Sequence, residues 1–145
     1  MFLKRKSEKV DRIRDVPLFA GFSDRQLDRL ASEVDEVDIK EGVTIARQGE
    51  LGHEFILILD GNARVERQGT VLTRLGPGDY FGEMSLIDGK PRTADVTAET
   101  PVAALVMHLT AFNTVLDEIP ELRKRILVTL SERLRAADAR LADCN

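Results

Sequence analysis

Apolar residues recur at helical spacing near the start of the chain, at strand-like spacing in its middle, and again at helical spacing at its end. The first clear stripe consists of Leu27, Leu30, Ala31 and Val34. Ser23 and Gln26 precede it with the spacing of a capping box, in which each side chain satisfies a backbone N–H at the helix start. We therefore predict a helical lead-in at 17–33. The N-terminal segment at 1–16 predicts at best a short, weakly amphipathic helix.

Glycines divide the middle of the chain into short β-type segments. The predicted strands are 43–47, 55–59, 63–67, 71–75, 93–98 and 102–108. The segment at 55–59 is apolar at every position, so we expect it at the centre of a sandwich. Asp60-Gly61 and Gln68-Gly69 are the expected hairpin turns, because such turns require residues that tolerate positive φ. Short strands with turn signals at this spacing predict an all-β sandwich or barrel.

Helical spacing returns at Thr110, whose hydroxyl suits a helix cap. Pro120 fits the first turn of a last helix, because its missing N–H has no partner to lose there. We predict that this helix runs to about Ala142 and that it carries two apolar stripes. One stripe, spaced by four, is Leu122, Ile126 and Leu130. The other, at alternating intervals of three and four, is Leu127, Leu130, Leu134, Ala137 and Leu141.

The second stripe has the spacing of a coiled-coil seam, but it covers only about two heptads where three or four are needed for a firm prediction. Two arrangements are compatible with it. In one, the helix forms a homodimer with a second copy of the chain. In the other, the helix folds back entirely on its own barrel. We take the dimer as the working prediction.

The composition fits one ordinary domain with a single core, since the chain has 145 residues, 43% of them hydrophobic and 32% charged. The net charge of −4 provides no electrostatic footprint for nucleic acid. No Trp and a single Tyr also disfavour stacking on single strands. We therefore expect no nucleic-acid partner.

The ends of the chain bear on its location. Met1 to Leu3 are apolar, but the basic tip Lys4-Arg5-Lys6 follows at once, so we expect neither a signal peptide nor a membrane span. Cys144 is the single cysteine, which excludes an internal disulfide and fits a reducing cytoplasm. We predict a cytoplasmic location.

The stretch at 81–94, FGEMSLIDGKPRTA, combines groups suited to a phosphate and a sugar. Gly82 permits a tight turn, and the first N–H groups of a short helical turn after it would lack internal partners. Arg92 supplies a planar guanidinium for phosphate, and Glu83 can accept hydrogen bonds from sugar hydroxyls. A small ligand with one phosphate and a ribose would use all three groups. The competing interpretation is an ion pair between Glu83 and Arg92 across a loop.

This stretch resembles the phosphate-binding cassette of the cyclic nucleotide-binding domain family, which includes the catabolite activator protein and the regulatory subunits of cyclic-AMP-dependent kinase. The matching residues are Phe81-Gly82-Glu83, Met84, Leu86 and Pro91-Arg92-Thr93-Ala94. The resemblance extends over 18–141. It implies a mainly β fold, in which an antiparallel, jelly-roll-like β-roll at 34–109 is flanked by N-terminal helices and by C-terminal helices at 110–145.

The resemblance also implies roles for individual residues. Glu83 would accept a hydrogen bond from the ribose 2′-hydroxyl, and Arg92 would pair with the cyclic phosphate. The backbone groups implied to reach the phosphate are the N–H groups of Met84, Ser85 and Ala94, after the turn at Gly82. The residues implied to form the base pocket are Val65, Leu72, Thr73 and Leu75. Core packing alone would also explain these four strand residues.

The same resemblance implies cyclic AMP as the ligand, with cyclic GMP as the alternative. The Thr93 hydroxyl can bond a phosphate oxygen or the 2-amino group of a guanine, so it leaves this choice open. The implied role is that of a sensor or regulatory module whose last helix responds to ligand. In that response, residues near Arg133, Leu134 and Ala137 would cap the base. We expect the effector that receives the signal to be a partner protein of unknown identity.

A metal enzyme and a ligand-independent interaction domain are the two alternative functions. A metal enzyme on a small β-barrel would need clustered His and carboxylate ligands, but His53 and His108 are isolated along the chain. No Ser-His-Asp or Cys-His arrangement can be built from them, so we predict no catalytic activity and no metal. A domain of the same fold that dimerises or binds partners without any ligand is the second alternative, and the complete cassette argues against it.

Overall fold

A computed structural model describes residues 6–143, and its eight strands form two four-stranded antiparallel sheets. In spatial order, the first sheet contains β1 (Asp35–Ile39), β8 (Val102–His108), β3 (Glu54–Asp60) and β6 (Tyr80–Phe81). The second contains β2 (Thr44–Ala46), β7 (Asp95–Ala98), β4 (Ala63–Arg67) and β5 (Thr70–Leu75). The predicted mainly β, antiparallel fold is confirmed. The predictions for Lys4, Arg5 and Cys144 fall outside the described residues.

Five α-helices flank the sheets. They are α1 (Lys6–Arg14), α2 (Asp24–Glu33), α3 (Glu83–Asp88), α4 (Leu109–Glu118) and α5 (Pro120–Asp143). A short 3₁₀ turn at Pro17–Phe19 joins α1 to α2. The N-terminal helix is more firmly packed than its weak amphipathic pattern predicts, because Val10 and Ile13 are both buried in the main core.

The all-apolar strand β3 lies between β8 and β6, as its sequence predicts. Alternate side chains enter different cores because successive residues of a strand point to opposite faces. Phe55 and Leu57 join the core beneath the helices. Ile56 and Ile58 join the second core, which lies among the strands. Because apolar side chains cover both faces, the strand has no polar alternation.

One of the two predicted hairpins is present. Gln68 and Gly69 both have positive φ, and they connect β4 to its antiparallel neighbour β5. The prediction at Asp60-Gly61 is wrong, because β3 and β4 belong to different sheets. Gly61 instead lies where the chain passes from one sheet to the other. It packs closely against the backbone of Pro101, since a Cβ at position 61 would lie 2.2 Å from the Pro101 carbonyl oxygen.

The helix starts show one confirmed and one mistaken cap. Ser23 and Gln26 form the predicted capping box of α2. Thr110 does not cap α4, because strand β8 ends at His108 and the helix begins immediately after it. The cap is His108, whose Nδ1 accepts a hydrogen bond from the Thr110 backbone N–H at 3.3 Å. Pro120 begins α5, as predicted.

The two stripes of α5 have different surroundings. Leu122 and Ile126 are buried in the core beneath the helices, and Leu130 packs partly against it. The residues of the second stripe are mostly exposed: Leu127, Leu134 and Leu141 have exposed fractions of 56%, 64% and 65%. The first half of α5 therefore rests on the roll, while its second half presents an apolar edge to solvent.

Candidate functional site

The segment predicted to hold the ligand connects β6 to β7 and contains the short helix α3. Gly82 stands at the start of α3 with φ of 98°. A Cβ at this position would lie 2.4 Å from the Glu54 carbonyl oxygen and 3.1 Å from Nη1 of Arg92. Glycine is therefore required here both by the backbone angle and by the closeness of β3. Gly89 ends the helix with φ of 70°, and its N–H donates to the Ser85 carbonyl.

Glu83 is a buried carboxylate at the first position of α3, with only 2% of its surface exposed. Nη1 of Arg133 on α5 donates to Glu83 Oε1 at 2.9 Å. Burial raises the pKa of Glu83, because the charged form loses its hydration, and the nearby Arg133 opposes that shift. The Arg133 guanidinium also lies 5.3 Å from the centroid of the Tyr80 ring. The cassette carboxylate is thus connected directly to the last helix.

Arg92 is anchored by its backbone to the loop between β2 and β3. Its N–H donates to the Glu50 carbonyl at 2.9 Å, and its own carbonyl accepts from the Gly49 N–H at 2.9 Å. The side chain is partly buried, and one guanidinium nitrogen donates to the Glu54 carbonyl at 3.2 Å. Burial lowers the pKa of Arg92 because it disfavours the charged form.

Within residues 6–143, no carboxylate lies within ion-pair distance of the Arg92 guanidinium. Glu83 pairs with Arg133 instead, so the competing interpretation of a Glu83–Arg92 pair does not describe this arrangement. A guanidinium has five N–H donors, and the protein engages one of them here. The arrangement suits an incoming anion.

The remaining cassette residues differ in exposure. Ser85 and Ala94 are buried, whereas the side chains of Met84 and Thr93 are exposed. The Thr93 carbonyl accepts a hydrogen bond from Arg67 Nε at 2.9 Å, which fixes the backbone just before β7. The backbone of Thr93 is therefore held in place, while its side chain stays exposed.

The four residues predicted for the base pocket lie on the hairpin of β4 and β5, beside the cassette. Val65 is paired with Thr73 on one side and with Val96 of β7 on the other. Since β7 begins directly after Ala94, this pairing places the hairpin next to the end of the cassette. Val65 and Leu75 are partly buried, while Leu72 and Thr73 are exposed. The fold therefore brings the predicted base-pocket strands next to the strand that follows the cassette.

Two features of this site carry no signal in the sequence. The acceptor for Arg92 is the Glu54 carbonyl, a backbone group that any residue would supply. The partner of Glu83 is 50 residues away, and only the packing of α5 brings Arg133 to it. The sequence had pointed to Arg133 through the family resemblance, as a residue near the base rather than as a partner of Glu83.

A groove of about 420 Å³ separates part of α5 from the roll. Tyr80 and Gly78 line one wall, and Val128, Thr129 and Arg133 line the helix side. The hydrogen bond between Arg133 of α5 and Glu83 of the cassette therefore lies next to an open space. Such a contact is easier to rearrange than a close-packed apolar one.

Metal and membrane chemistry find no support in the described part of the chain. Its His, Cys, Asp and Glu side chains form no group of three or more suited to a metal ion. None of the helices between residues 6 and 143 combines the length and hydropathy that crossing a bilayer requires.

Comparison with known proteins adds an independent finding. The family model described as cyclic nucleotide-binding domain matches residues 36–118. The CRP-like cAMP-activated global transcriptional regulator of Mycobacterium tuberculosis is 32% identical over 131 residues, which cover 87% of this chain and 58% of that protein. The chain thus spans little more than half of this relative.

Solved structures show the same similarity. Catabolite activator protein of Thermus thermophilus aligns with a TM-score of 0.79 and 30% identity, covering 87% of this chain and 62% of that one. The regulatory domain of Toxoplasma gondii PKA, solved with cAMP, aligns with a TM-score of 0.77 and 25% identity, covering 88% of this chain and 50% of that one.

Proposed function

This chain belongs to the cyclic nucleotide-binding domain family, and we propose that it binds cyclic AMP and transmits the binding event through helix α5. The observation that carries this proposal is the state of Arg92. The backbone of Arg92 is fixed by two hydrogen bonds. Its partly buried guanidinium donates to one carbonyl and has no carboxylate partner among the described residues. A desolvated cation in this state favours an anionic ligand.

The cyclic phosphate is the anion that we assign to Arg92. One negative charge shared between exocyclic oxygens matches the planar donors of a guanidinium. The backbone N–H groups of Met84, Ser85 and Ala94 lie on the same segment and supply further donors in this proposal. Gly82 contributes by keeping the turn before α3 close to β3.

The ribose is assigned to Glu83. One of its carboxylate oxygens accepts from Arg133, and a carboxylate has room for further donors at its other oxygen. A 2′-hydroxyl donating to Glu83 would bind a nucleotide whose phosphate sits at Arg92. Because Glu83 is buried, that hydrogen bond would form in a poorly hydrated place, where it is strong.

The base is assigned to the surface of the hairpin β4–β5. On this hairpin Leu72 is an exposed apolar side chain, Val65 and Leu75 are partly exposed, and Thr73 supplies a hydroxyl. We assign cyclic AMP rather than cyclic GMP because one of the similar proteins is a cAMP-activated regulator and another is a regulatory domain solved with cAMP. Thr93 is compatible with either base.

The response is assigned to α5, because this helix holds the partner of the ribose-binding carboxylate. A ligand hydroxyl that engages Glu83 alters the environment of the Glu83–Arg133 pair, and the groove beside Tyr80 leaves space for α5 to settle differently. Residues near Arg133, Leu134 and Ala137 would then come close to the base. The ligand shifts α5 only as far as it binds one helix position more tightly than the other.

The module is regulatory rather than catalytic in this proposal, in line with relatives that are described as a transcriptional regulator and as a kinase regulatory domain. Those relatives differ in what they act on. The effector of this chain is therefore proposed only as a protein partner that contacts α5, where a second copy of the chain can also dock.

The proposal is tested by isothermal titration of cyclic AMP into wild type and the Arg92→Ala variant. Loss of a charge-assisted hydrogen bond is worth ~1.5–3 kcal/mol, so affinity should fall at least about tenfold. Arg123→Ala is the control, since Arg123 lies on α5 and its described partner is Asp117 at 4.0 Å. Equal affinity in all three proteins would refute the assignment of the phosphate to Arg92.

A further inference from the structure

The loop between β2 and β3 touches Arg92 at a glycine that the sequence did not single out. A Cβ placed on Gly52 would lie 2.8 Å from Cζ, 2.8 Å from Nε and 2.9 Å from Nη2 of Arg92. Real Cβ atoms do not approach other heavy atoms this closely. The guanidinium therefore occupies the space that a side chain at position 52 would fill.

A second glycine lies close to a different nitrogen of the guanidinium. The corresponding Cβ on Gly82 would lie 3.1 Å from Nη1 of Arg92. The Glu54 carbonyl accepts a hydrogen bond from Nη2 at 3.2 Å. The charged end of Arg92 is thus packed close to two glycines, with a backbone carbonyl as its hydrogen-bond acceptor.

We infer that Gly52 is a positioning residue for Arg92, and that its missing side chain is what lets the guanidinium lie where it can receive the phosphate of the ligand. This inference rests on the proposed function for the identity of the ligand. It adds to that function a residue on a different loop, 40 positions before the arginine that it positions.

The backbone of Gly52 does not itself call for glycine. Eight glycines of the chain have positive φ, which disfavours any other residue, but Gly52 is not among them. The atoms that a new Cβ would meet belong to the end of a flexible side chain and not to a backbone. Alanine at position 52 should therefore leave the fold intact and move Arg92.

Gly76 provides a matched control. It is the other glycine without positive φ, and its Cβ would lie 3.2 Å from Asn62 Oδ1, a contact that does not involve Arg92. Gly82 is unsuitable for the test, because a Cβ there would also collide with the Glu54 carbonyl. The Gly52→Ala and Gly76→Ala variants make the same chemical change at positions that differ in their relation to Arg92.

The experiment measures cyclic AMP affinity by isothermal titration for wild type, Gly52→Ala, Gly76→Ala, Arg92→Ala and the double variant Gly52→Ala/Arg92→Ala. We expect Gly52→Ala to bind about tenfold more weakly than Gly76→Ala, because it displaces one charge-assisted contact. The two single glycine variants should melt within about 2 °C of each other. In the Arg92→Ala background, the alanine at position 52 should cause no further loss, since the group that it displaces is absent.

Two results would overturn the inference. One is equal affinity of Gly52→Ala and Gly76→Ala. The other is an undiminished loss from Gly52→Ala when Arg92 is already absent, because the glycine would then act on something else. Failure of wild type to bind cyclic AMP would refute the proposed function. In that case the NMR resonance of the Arg92 Nε–H group tests the inference about Gly52. A chemical-shift change in Gly52→Ala but not in Gly76→Ala would support the inference, and no such change in Gly52→Ala would overturn it.

Discussion

Glu83 joins two parts of the molecule through a single carboxylate. Its backbone begins α3, and its side chain accepts from Arg133 on α5. An isolated charge on a carboxylate that is 2% exposed would be energetically costly. The charged form of Glu83 is therefore stabilised by Arg133 and by its position in the first turn of α3. Burial nevertheless outweighs these effects and raises the pKa of Glu83, so the folded protein binds this proton more tightly than a carboxyl group in water does.

This pKa predicts how the Glu83→Gln variant should respond to pH in the absence of ligand. The native state holds the Glu83 proton more tightly than the unfolded chain, so wild-type stability falls as pH rises above the ordinary value of 4.5 toward the raised pKa. Glutamine cannot titrate, and the variant should lose that part of the slope. The measurement is urea unfolding of both proteins between about pH 4 and pH 8.

Glu118→Gln is the contrasting control. Arg29 lowers the pKa of Glu118, so this carboxylate contributes stability above its ordinary pKa and loses it as pH falls. Glu118 is exposed, and its contribution should be small and of opposite sign. A Glu83→Gln protein with the same pH slope as wild type would contradict the raised pKa of Glu83.

For single residues, the sequence predicts which side chains could bind a ligand better than it predicts which atoms those side chains contact. Arg92 and Glu83 stand out as candidates in the sequence because phosphate and sugar binding restrict the residue types that can serve. The acceptor of the Arg92 side chain and the importance of Gly52 do not stand out, since one is a backbone carbonyl and the other an absence of atoms. Both depend on the distance between two loops, which local pattern does not encode.

Helix α5 is the element with two different halves. Its first half is fixed by Leu122 and Ile126 in the core, and Arg125 adds a hydrogen bond of 2.8 Å to the Leu18 carbonyl. Its second half is held to the cassette through Arg133, beside the groove lined by Tyr80. We expect the first half to stay in place and the second half to respond to ligand.

Hydrogen–deuterium exchange with and without cyclic AMP tests that expectation. Protection should change in the cassette at 81–94 and in α5 from Arg133 to Leu141, because both share the Glu83–Arg133 contact. The capped helix α2 (Asp24–Glu33) is the internal control and should exchange equally in both conditions. A change confined to the cassette would mean that the domain binds without moving its last helix.

The elements also show where pattern reading succeeds and where it fails. The all-apolar β3 and the capping box of Ser23 are local signals, and both were predictable. Strand β1 was not predicted, because Asp35–Ile39 contains three acidic residues and forms through pairing with β8. The turn at Asp60-Gly61 looks like a hairpin locally, but the sheet to which β4 belongs is decided by its pairing with β7.

At the scale of the whole molecule, the second half of α5 presents an apolar edge to solvent. Leu127, Leu134 and Leu141 are spaced by seven and are all exposed. Exposed leucines at this spacing suit a second copy of the same helix, since a heptad stripe is self-complementary. We predict a dimer of modest affinity, because the seam is short.

Sedimentation velocity across micromolar concentrations tests the dimer. Wild type should shift from monomer to dimer as concentration rises, and Leu134→Glu should remain monomeric. Its melting temperature at low concentration should match wild type, because Leu134 is 64% exposed in the single chain. Leu51→Glu is the control and should dimerise normally, since Leu51 is a leucine of similar exposure, 57%, in the β2–β3 loop. A wild-type protein that stays monomeric at every concentration would contradict the predicted dimer interface.

We propose that this chain is a cyclic nucleotide receptor, and thermal unfolding of the wild-type protein tests that function most directly. At a hundred times its dissociation constant, a ligand of the native state adds ~2.7 kcal/mol of stability. For a domain of this size, that corresponds to a rise of roughly 5–10 °C in melting temperature. Cyclic AMP should produce this rise, cyclic GMP should produce a smaller one, and 5′-AMP, which lacks the cyclic phosphate, should produce almost none. An unchanged melting temperature with millimolar cyclic AMP and cyclic GMP would contradict the account.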